Sequence, residues 1–296
     1  MGVIAPAPAA VSATLLKVAV LLEAGIAPAA AWRHVAETGD DAAGRIAERL
    51  QQDPSVPEAL AAEPGAAWRE VAAAWEIASL VGASLAPSLR GIALALRDAA
   101  EAMDDVRIAL AEPASTARLM TWLPVFGVVV GGALGFDVIG VLFTHPIGIA
   151  CLVAGVGLLV LARWWTARLV RAARPAAGIP GIRAELTAIA LGGGASVDRA
   201  RALVREAGDG DGEDAAHTDA VLELSRRAGV PAVDLLRATA VQQRHDARTE
   251  GRLRAARLAG RLLLPLGVCT LPAFVCLGVA PMLVAVLSTT TLPALP

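Results

Sequence analysis

The sequence predicts an all-α integral membrane protein, with two repeated cytoplasmic helical-bundle domains and three transmembrane helices. Hydrophobic residues make up 56% of the 296 residues and charged residues only 18%, and the mean hydropathy is +0.59. The apolar residues are mostly alanine, leucine and valine, and alanine and leucine are strong helix formers. Tyrosine is absent, and the aromatic and β-branched runs of a β-protein are missing. The charges fall outside three long uncharged runs, which are the candidate membrane spans.

The chain begins with a segment rich in proline and alanine, residues 1–16. No lysine or arginine precedes Lys17, so the basic start of a secretory signal peptide is missing. We expect a disordered leader that runs into an amphipathic helix, and contact of this segment with the membrane stays open. Residues 17–116 then alternate apolar and charged positions at helical spacing, with breaks near Gly25, Gly39 and Gly82. They predict a first cytoplasmic domain built from short helices.

The first two uncharged runs predict a transmembrane hairpin over residues 117–165. Its spans lie at about 117–136 and 146–165, and each reaches the roughly 20 residues that cross the hydrocarbon core. The short segment between them leaves room only for a tight loop. Small residues at every fourth position of the first span would let another helix approach closely. These expected helix-packing positions are Gly127, Gly131 and Gly135.

The third uncharged run predicts a third transmembrane helix over residues 259–288, followed by a short tail, 289–296. Prolines inside this run remove internal hydrogen bonds, so kinks are expected. Arginines precede the first span, follow the second and precede the third, whereas the hairpin loop has none. Since cytoplasmic flanks carry an excess of basic residues, the N-terminus is predicted to be cytoplasmic and the tail extracytoplasmic.

A basic membrane-proximal stripe leads into the third span. Its arginines recur at every fourth residue and share one helical face: Arg244, Arg248 and Arg252. Such a stripe either anchors the helix to lipid headgroups or offers a docking face to a cytoplasmic partner. The sequence is compatible with both interpretations, headgroup anchoring and partner docking.

Residues 166–258 predict a second cytoplasmic domain, whose sequence repeats that of the first. The aligned positions form a candidate bundle or partner motif. They are Glu76 with Glu223, Gly82 with Gly229, Leu89 with Leu236, and Arg90 with Arg237. The two glutamates either pair within their own bundle or contact a partner. Both copies lie on the same side of the membrane, so the repeat is parallel.

No motif for catalysis, cofactor binding or metal binding is visible, and the protein is predicted not to be an enzyme. Lys17 is followed by valine and has no glycine-rich loop before it, so it does not form a Walker A motif. The cysteines do not form a CxxC pair. A net charge of −2 argues against nucleic acid as a partner. No chain of acidic residues or histidines crosses the spans, which disfavours a transport path.

In these features the chain resembles the type II secretion system F family. More narrowly, it is similar to the TadB/TadC-type inner-membrane platform proteins of tight-adherence (Flp) pili. The doubled motif, the hairpin and the proline-containing third span carry the resemblance, which covers roughly residues 17–287. The third span favours a TadC-like member. The short N-terminus departs from members that begin with additional membrane helices.

The resemblance implies a non-enzymatic platform, without cofactors, in the bacterial inner membrane. It would couple a cytoplasmic secretion ATPase to pilin subunits that are extracted from the bilayer. Further implied partners are a paralogous platform protein or a second copy of the chain. A membrane transporter or channel subunit, or a membrane scaffold unrelated to secretion, is the competing class.

Overall fold

The computed structural model describes residues 7–133, 140, 143, 146–172, 178–208, 213–281 and 283–284. Over this described part the chain is helical and contains no β-strand, which confirms the predicted all-α class. The first helices are α1 (Pro8–Glu23), α2 (Pro28–Glu37), α3 (Asp41–Gln52), α4 (Val56–Ala61), α5 (Ala66–Val81) and α6 (Leu85–Ala133). They are followed by α7 (Pro146–Ala172), α8 (Ile182–Gly192), α9 (Val197–Glu206), α10 (Glu213–Ala228) and α11 (Ala232–Pro265). Two π-helical turns, Leu266–Thr270 and Val275–Val279, flank the short α12 (Leu271–Phe274).

Helix boundaries follow local signals in the sequence. The side chain of Asp40 accepts a hydrogen bond from the backbone N–H of Ala43 and caps α3, and Ser196 caps α9 in the same way. Such caps satisfy one of the free N–H groups of the first turn. Gly82 ends α5 with a φ of +72°, and Gly229 follows α10 with a φ of +69°. Only glycine adopts this left-handed conformation without steric cost.

The structure corrects the prediction of a disordered leader over residues 1–16 at residues 8–16, which are helical; residues 1–6 of that predicted leader lie outside the described residues. Helix α1 begins at Pro8, where the missing N–H of proline costs nothing. Val11 and Leu15 are buried together with Val18, one or two turns apart on a single face. Ala9, Ala10, Ala13 and Ala19 add residues with the strongest helix-forming tendency to the same helix. The apolar face of α1 is therefore part of the hydrophobic core.

The described chain divides into two compact units, of which the first comprises residues 1–104 and 177–250. Its main apolar core draws buried residues from both predicted cytoplasmic segments, with Trp68, Ile77 and Leu96 from the first and Leu186 and Leu203 from the second. The two segments thus share one core within this unit. Removing either segment would expose the apolar residues that the other packs against it.

Three tryptophans lie at the heart of this core. The ring centroids of Trp32 and Trp68 are 6.2 Å apart, and those of Trp32 and Trp75 are 6.4 Å apart, both pairs in tilted orientation. Aromatic pairs prefer such tilted or edge-on geometry at this distance. The indole N–H groups of Trp32 and Trp68 are buried and have no hydrogen-bond acceptor among the described residues. The cluster therefore stabilises the fold by packing rather than by hydrogen bonding.

The second unit comprises residues 105–176 and 251–296. Here α7 packs against the π-helical and helical turns that follow α11. The side chain of Leu277 lies directly on Gly155, in space that a Cβ atom would fill. Gly148 and Ala162 are also buried, one heptad to either side of Gly155. Small residues on one face thus allow close approach within the second unit, while the packing predicted for Gly127, Gly131 and Gly135 falls outside the described residues.

Two helical segments are long and apolar enough to cross a membrane, one over Pro146–Leu169 and one within Ala232–Val279. Only 17% of the most apolar part of the first segment is buried. A core helix of a soluble protein buries most of such a surface, whereas a lipid-facing helix does not. The first predicted span, 117–136, begins on the helical backbone of α6, but most of its side chains lie outside the described residues. The hairpin loop and the tail fall almost entirely outside them as well.

Candidate functional site

Acidic residues of α6 pair with the basic stripe of α11. In the first unit, the Nε of Arg244 donates to Asp98 Oδ2 at 2.9 Å, and the Nη1 of Arg248 donates to Glu101 Oε2 at 3.1 Å. In the second unit, the Nη2 of Arg252 lies 2.9 Å from Asp105 Oδ2. The order of the pairs along both helices shows that α6 and α11 run in the same direction where they are paired. The stripe therefore holds two helices together, while its predicted contact with headgroups or a partner stays a prediction.

The acidic partners are the residues that the sequence reasoning missed. They recur every three or four residues and so share one face of α6, as the arginines share one face of α11. The alignment of the two predicted repeats places Glu101 on Arg248 and Asp105 on Arg252. These opposite charges at aligned positions of the predicted repeats could therefore have indicated from the sequence that α6 and α11 pack against each other.

Arg244 differs from the other arginines of the stripe because it is buried. Only 8% of the residue is exposed, and its Nη1 atom has no hydrogen-bond acceptor among the described residues. The nearest carboxylate oxygen beyond Asp98 is Glu185 Oε2, at 3.9 Å from Nη1. Burial raises the pKa of Glu185 above the usual glutamate value, against the opposing effect of Arg244 and Arg237. Arg244 and Glu185 line a cavity of about 290 Å³.

The structure distributes the residues of the repeated motif over different environments. Leu89 and Leu236 are fully buried in the first unit, and Arg90 forms an ion pair with Glu23. Arg90 and Arg237, the aligned arginines, both line the cavity described above. The two glutamates are on the exposed surface: Glu223 pairs with Arg226 one turn away, and Glu76 is exposed. The motif thus combines two buried leucines, two arginines that line the cavity and two glutamates on the exposed surface.

A buried carboxylate outside the motif links the segment after α4 to two arginines of α3. Glu63 is 3% exposed. Its Oε2 accepts from Arg45 Nη2 at 2.6 Å and its Oε1 from Arg49 Nη1 at 2.5 Å. Burial pushes the pKa of Glu63 upward, but the hydrogen bonds from Arg45 and Arg49 outweigh it, so the pKa lies below the usual value.

Glu63→Gln is expected to destabilise the protein in a pH-dependent way. A carboxyl whose pKa is lowered by folding stabilises the folded state above its ordinary pKa, and this contribution is lost as the pH falls through the lowered value. At pH 7 we expect the variant to lose about 1–2 kcal/mol of unfolding free energy. Below the ordinary glutamate pKa of about 4.3, the difference from the natural protein should shrink. Urea unfolding in detergent micelles at pH 7 and pH 3 measures it, and an equal loss at both pH values would contradict the assignment.

Charge reversal at the paired helices is expected to be destabilising singly and tolerated in combination. Glu101→Arg would face Arg248 and lie one turn from Arg97, with which Glu101 also pairs. Partly exposed pairs contribute up to about 1 kcal/mol, so a loss of about 1 kcal/mol is expected. Combining it with Arg248→Glu should recover most of the loss. Thermal unfolding of the four proteins of this cycle measures the coupling. Reversal of an exposed residue on α3, Glu48→Arg, serves as control and should change the stability little.

The fold and these contacts define a helical protein with two segments able to cross a membrane, and with charged groups that pair internally. Among the described residues, no group of three metal-ligating side chains comes together. Residues 14–132 match the family model of type II secretion system (T2SS) protein F. The match covers less than half of the chain, and this segment is similar to the type II secretion system F family, whose members are non-enzymatic inner-membrane platform proteins of secretion and pilus-type machines. No curated protein is a significant match, and no solved structure is one.

Proposed function

We propose that the protein is an inner-membrane platform of a tight-adherence (Flp) pilus machine, which couples a cytoplasmic secretion ATPase to the export and polymerisation of pilins. The observation that carries the proposal is the family match over residues 14–132, together with two apolar helices suited to a membrane. Part of the matched segment lies in the shared core of the first unit. Its exposed charged side chains, such as Glu76, offer a binding surface to a soluble partner. Because the chain has no nucleotide-binding loop, the energy for export has to come from such a partner.

Matching helix boundaries in the two predicted repeats support the proposal. The aligned helices begin and end at matching positions: α2 (Pro28–Glu37) on α9 (Val197–Glu206), and α5 (Ala66–Val81) on α10 (Glu213–Ala228). Glycines with positive φ recur at aligned positions as well, at Gly39 with Gly208 and at Gly82 with Gly229. In the first copy the hydroxyl of Ser12 donates to the carbonyl oxygen of Ala93 at 2.7 Å. At the aligned position of the second copy, Gly181 lies against the backbone of Ala240.

The proposed topology has three spans, with the N-terminus in the cytoplasm and the C-terminus outside. The arginines that flank the spans support it, as does the apolar, largely exposed surface of α7. Reporter fusions in the segment 137–145 and after residue 296 test the orientation. An enzyme that is active only outside the cytoplasm should work at both sites, and a fusion after Ala172 should be inactive. Activity at this last site, or inactivity at the other two, would contradict the topology.

The ATPase contact is proposed to involve the exposed glutamates of the repeated motif. Changing both residues, Glu76→Arg with Glu223→Arg, should lower co-purification of the secretion ATPase with the full-length protein at least about tenfold, because reversed charges at an interface repel. Pilus assembly should fall with it. The control Glu48→Arg reverses an exposed charge on α3 and should leave both intact. This double variant is preferred to a deletion of residues 17–116, because that deletion would also remove most of the shared core. Unchanged co-purification would contradict the role of this face, and no co-purification with the natural protein would contradict the coupling itself.

A further inference from the structure

The cavity of about 290 Å³ in the first unit lies between α6 and α11, with α8 at its side. Its walls are apolar at Leu94 and Val241, which occupy aligned positions in the two predicted repeats. Both side chains are strongly exposed for apolar residues, at 47% and 57%. The cavity is therefore open to the surface, and its rim presents apolar atoms to the surroundings.

The inner end of the cavity holds a guanidinium whose Nη1 atom has no hydrogen-bond acceptor among the described residues and only a long ion pair with Glu185. The Nε of Arg244 is bonded to Asp98, which fixes the guanidinium, but the buried Nη1 has no acceptor among the described residues. A buried donor without an acceptor costs about 1–3 kcal/mol, and more when it is charged. Glu185 Oε2 is too distant, at 3.9 Å, to serve as the acceptor, and Gly91 is the residue that leaves space for its carboxyl group. An incoming oxygen atom that binds Nη1 would therefore remove an existing penalty.

Two more guanidinium groups lie at the same cavity. Arg90 is engaged by Glu23, whereas Arg237 makes no hydrogen bond or ion pair with any residue that the structure describes. Arg237 is exposed, so it can meet a charged group at the mouth while Arg244 meets it at the inner end. Arginine is enriched at protein-binding surfaces, where it often carries much of the binding energy.

The residues that line the cavity also exclude several classes of ligand. It contains no aromatic side chain on which a nucleobase could stack, and its single glycine does not form the loop of backbone N–H groups that holds a phosphate. The apolar rim would gain little from a bare inorganic anion. We infer that the cavity binds the carboxylate of an acidic side chain, presented by an apolar segment of a partner protein, with Arg244 and Arg237 as the binding residues and Leu94 and Val241 as the apolar contacts.

Site-specific photo-crosslinking of the full-length protein in its own membrane tests the inference. A benzophenone amino acid replaces Leu94 or Val241 at the rim, and Leu80, exposed on α5, serves as the control position. We expect both rim positions to label one segment of a partner that contains an aspartate or glutamate. Changing that acidic residue to its amide should lower the yield at least about tenfold, as loss of a charge-assisted hydrogen bond predicts. Arg237→Gln should have the same effect, and Arg33→Gln on α2, which is exposed and distant in sequence, should have none.

Three outcomes would overturn the inference: no protein adduct from either rim position, labelling of lipid alone, or an adduct whose yield does not depend on an acidic residue or on Arg237. Arg244→Met provides a second variant, and it should abolish the dependence on the acidic residue even where some adduct remains. The inference depends on the proposed function only in needing a partner protein. If the labelled acidic segment belongs to a protein other than the secretion ATPase, the cavity assignment stands and the proposed coupling has to be revised.

Discussion

Replacing Trp32 by alanine is expected to lower the free energy of unfolding by about 3–5 kcal/mol. Trp32 is fully buried and touches two further tryptophans, Trp68 and Trp75. Removal of the indole would leave a cavity between two large rings that are themselves nearly fully buried, and rigid rings cannot collapse into it. Urea unfolding followed by circular dichroism measures the loss without relying on tryptophan fluorescence.

Two further variants separate the packing of Trp32 from its polar atom. Trp32→Phe removes an indole N–H that has no acceptor among the described residues, so part of the lost packing should be offset and the cost should stay below about 1.5 kcal/mol. Leu80→Ala changes a residue that is 60% exposed, and such surface changes usually stay within about 0.5 kcal/mol. A loss as large for Trp32→Phe as for Trp32→Ala would show that the indole N–H has a partner after all.

Local features of the fold could be predicted because they depend on single residues. The chain breaks after α5 and after α10 need a residue with positive φ, and the glycines at positions 82 and 229 predict both breaks. The apolar runs likewise identify α7 and the end of α11 as membrane candidates. The start of α1 was missed because the proline- and alanine-rich composition of residues 1–16 suggested a disordered leader, although proline is tolerated in the first turn of a helix.

Features that depend on distant residues could not be predicted in the same way. The shared core joins Leu15 and Leu186 in one cluster, and a helical spacing pattern shows which face is apolar but not what covers it. The basic stripe was recognised as a functional face, yet its acidic partners lie on α6, far away in the sequence. The cavity forms only where three helices that are distant in sequence come together. That the Nη1 atom of Arg244 has no hydrogen-bond acceptor among the described residues can be known only from atomic positions.

The close approach of Gly181 to α11 should make Gly181→Ala one of the most damaging small substitutions in the chain. Gly181 has a φ of +75°, and a Cβ atom there would lie 2.7 Å from the carbonyl oxygen and 2.9 Å from the Cα of Ala240. The backbone conformation alone costs an alanine about 1–2 kcal/mol. The contact adds roughly 1–3 kcal/mol, because backbone atoms inside a helix cannot rotate away as a side chain could.

Gly229→Ala is the matched control for this effect. Its φ of +69° is nearly the same, but no atom lies within 4 Å of the Cβ position. Gly229→Ala should therefore show the conformational cost alone, and the difference between the two variants measures the close approach of Gly181 to α11. Because the aligned contact in the first predicted repeat is a hydrogen bond from Ser12 to Ala93, Ser12→Ala should cost only about 1 kcal/mol. Equal losses for Gly181→Ala and Gly229→Ala would mean that α8 and α11 can separate at little cost, and the tight packing of Gly181 against α11 would then be refuted.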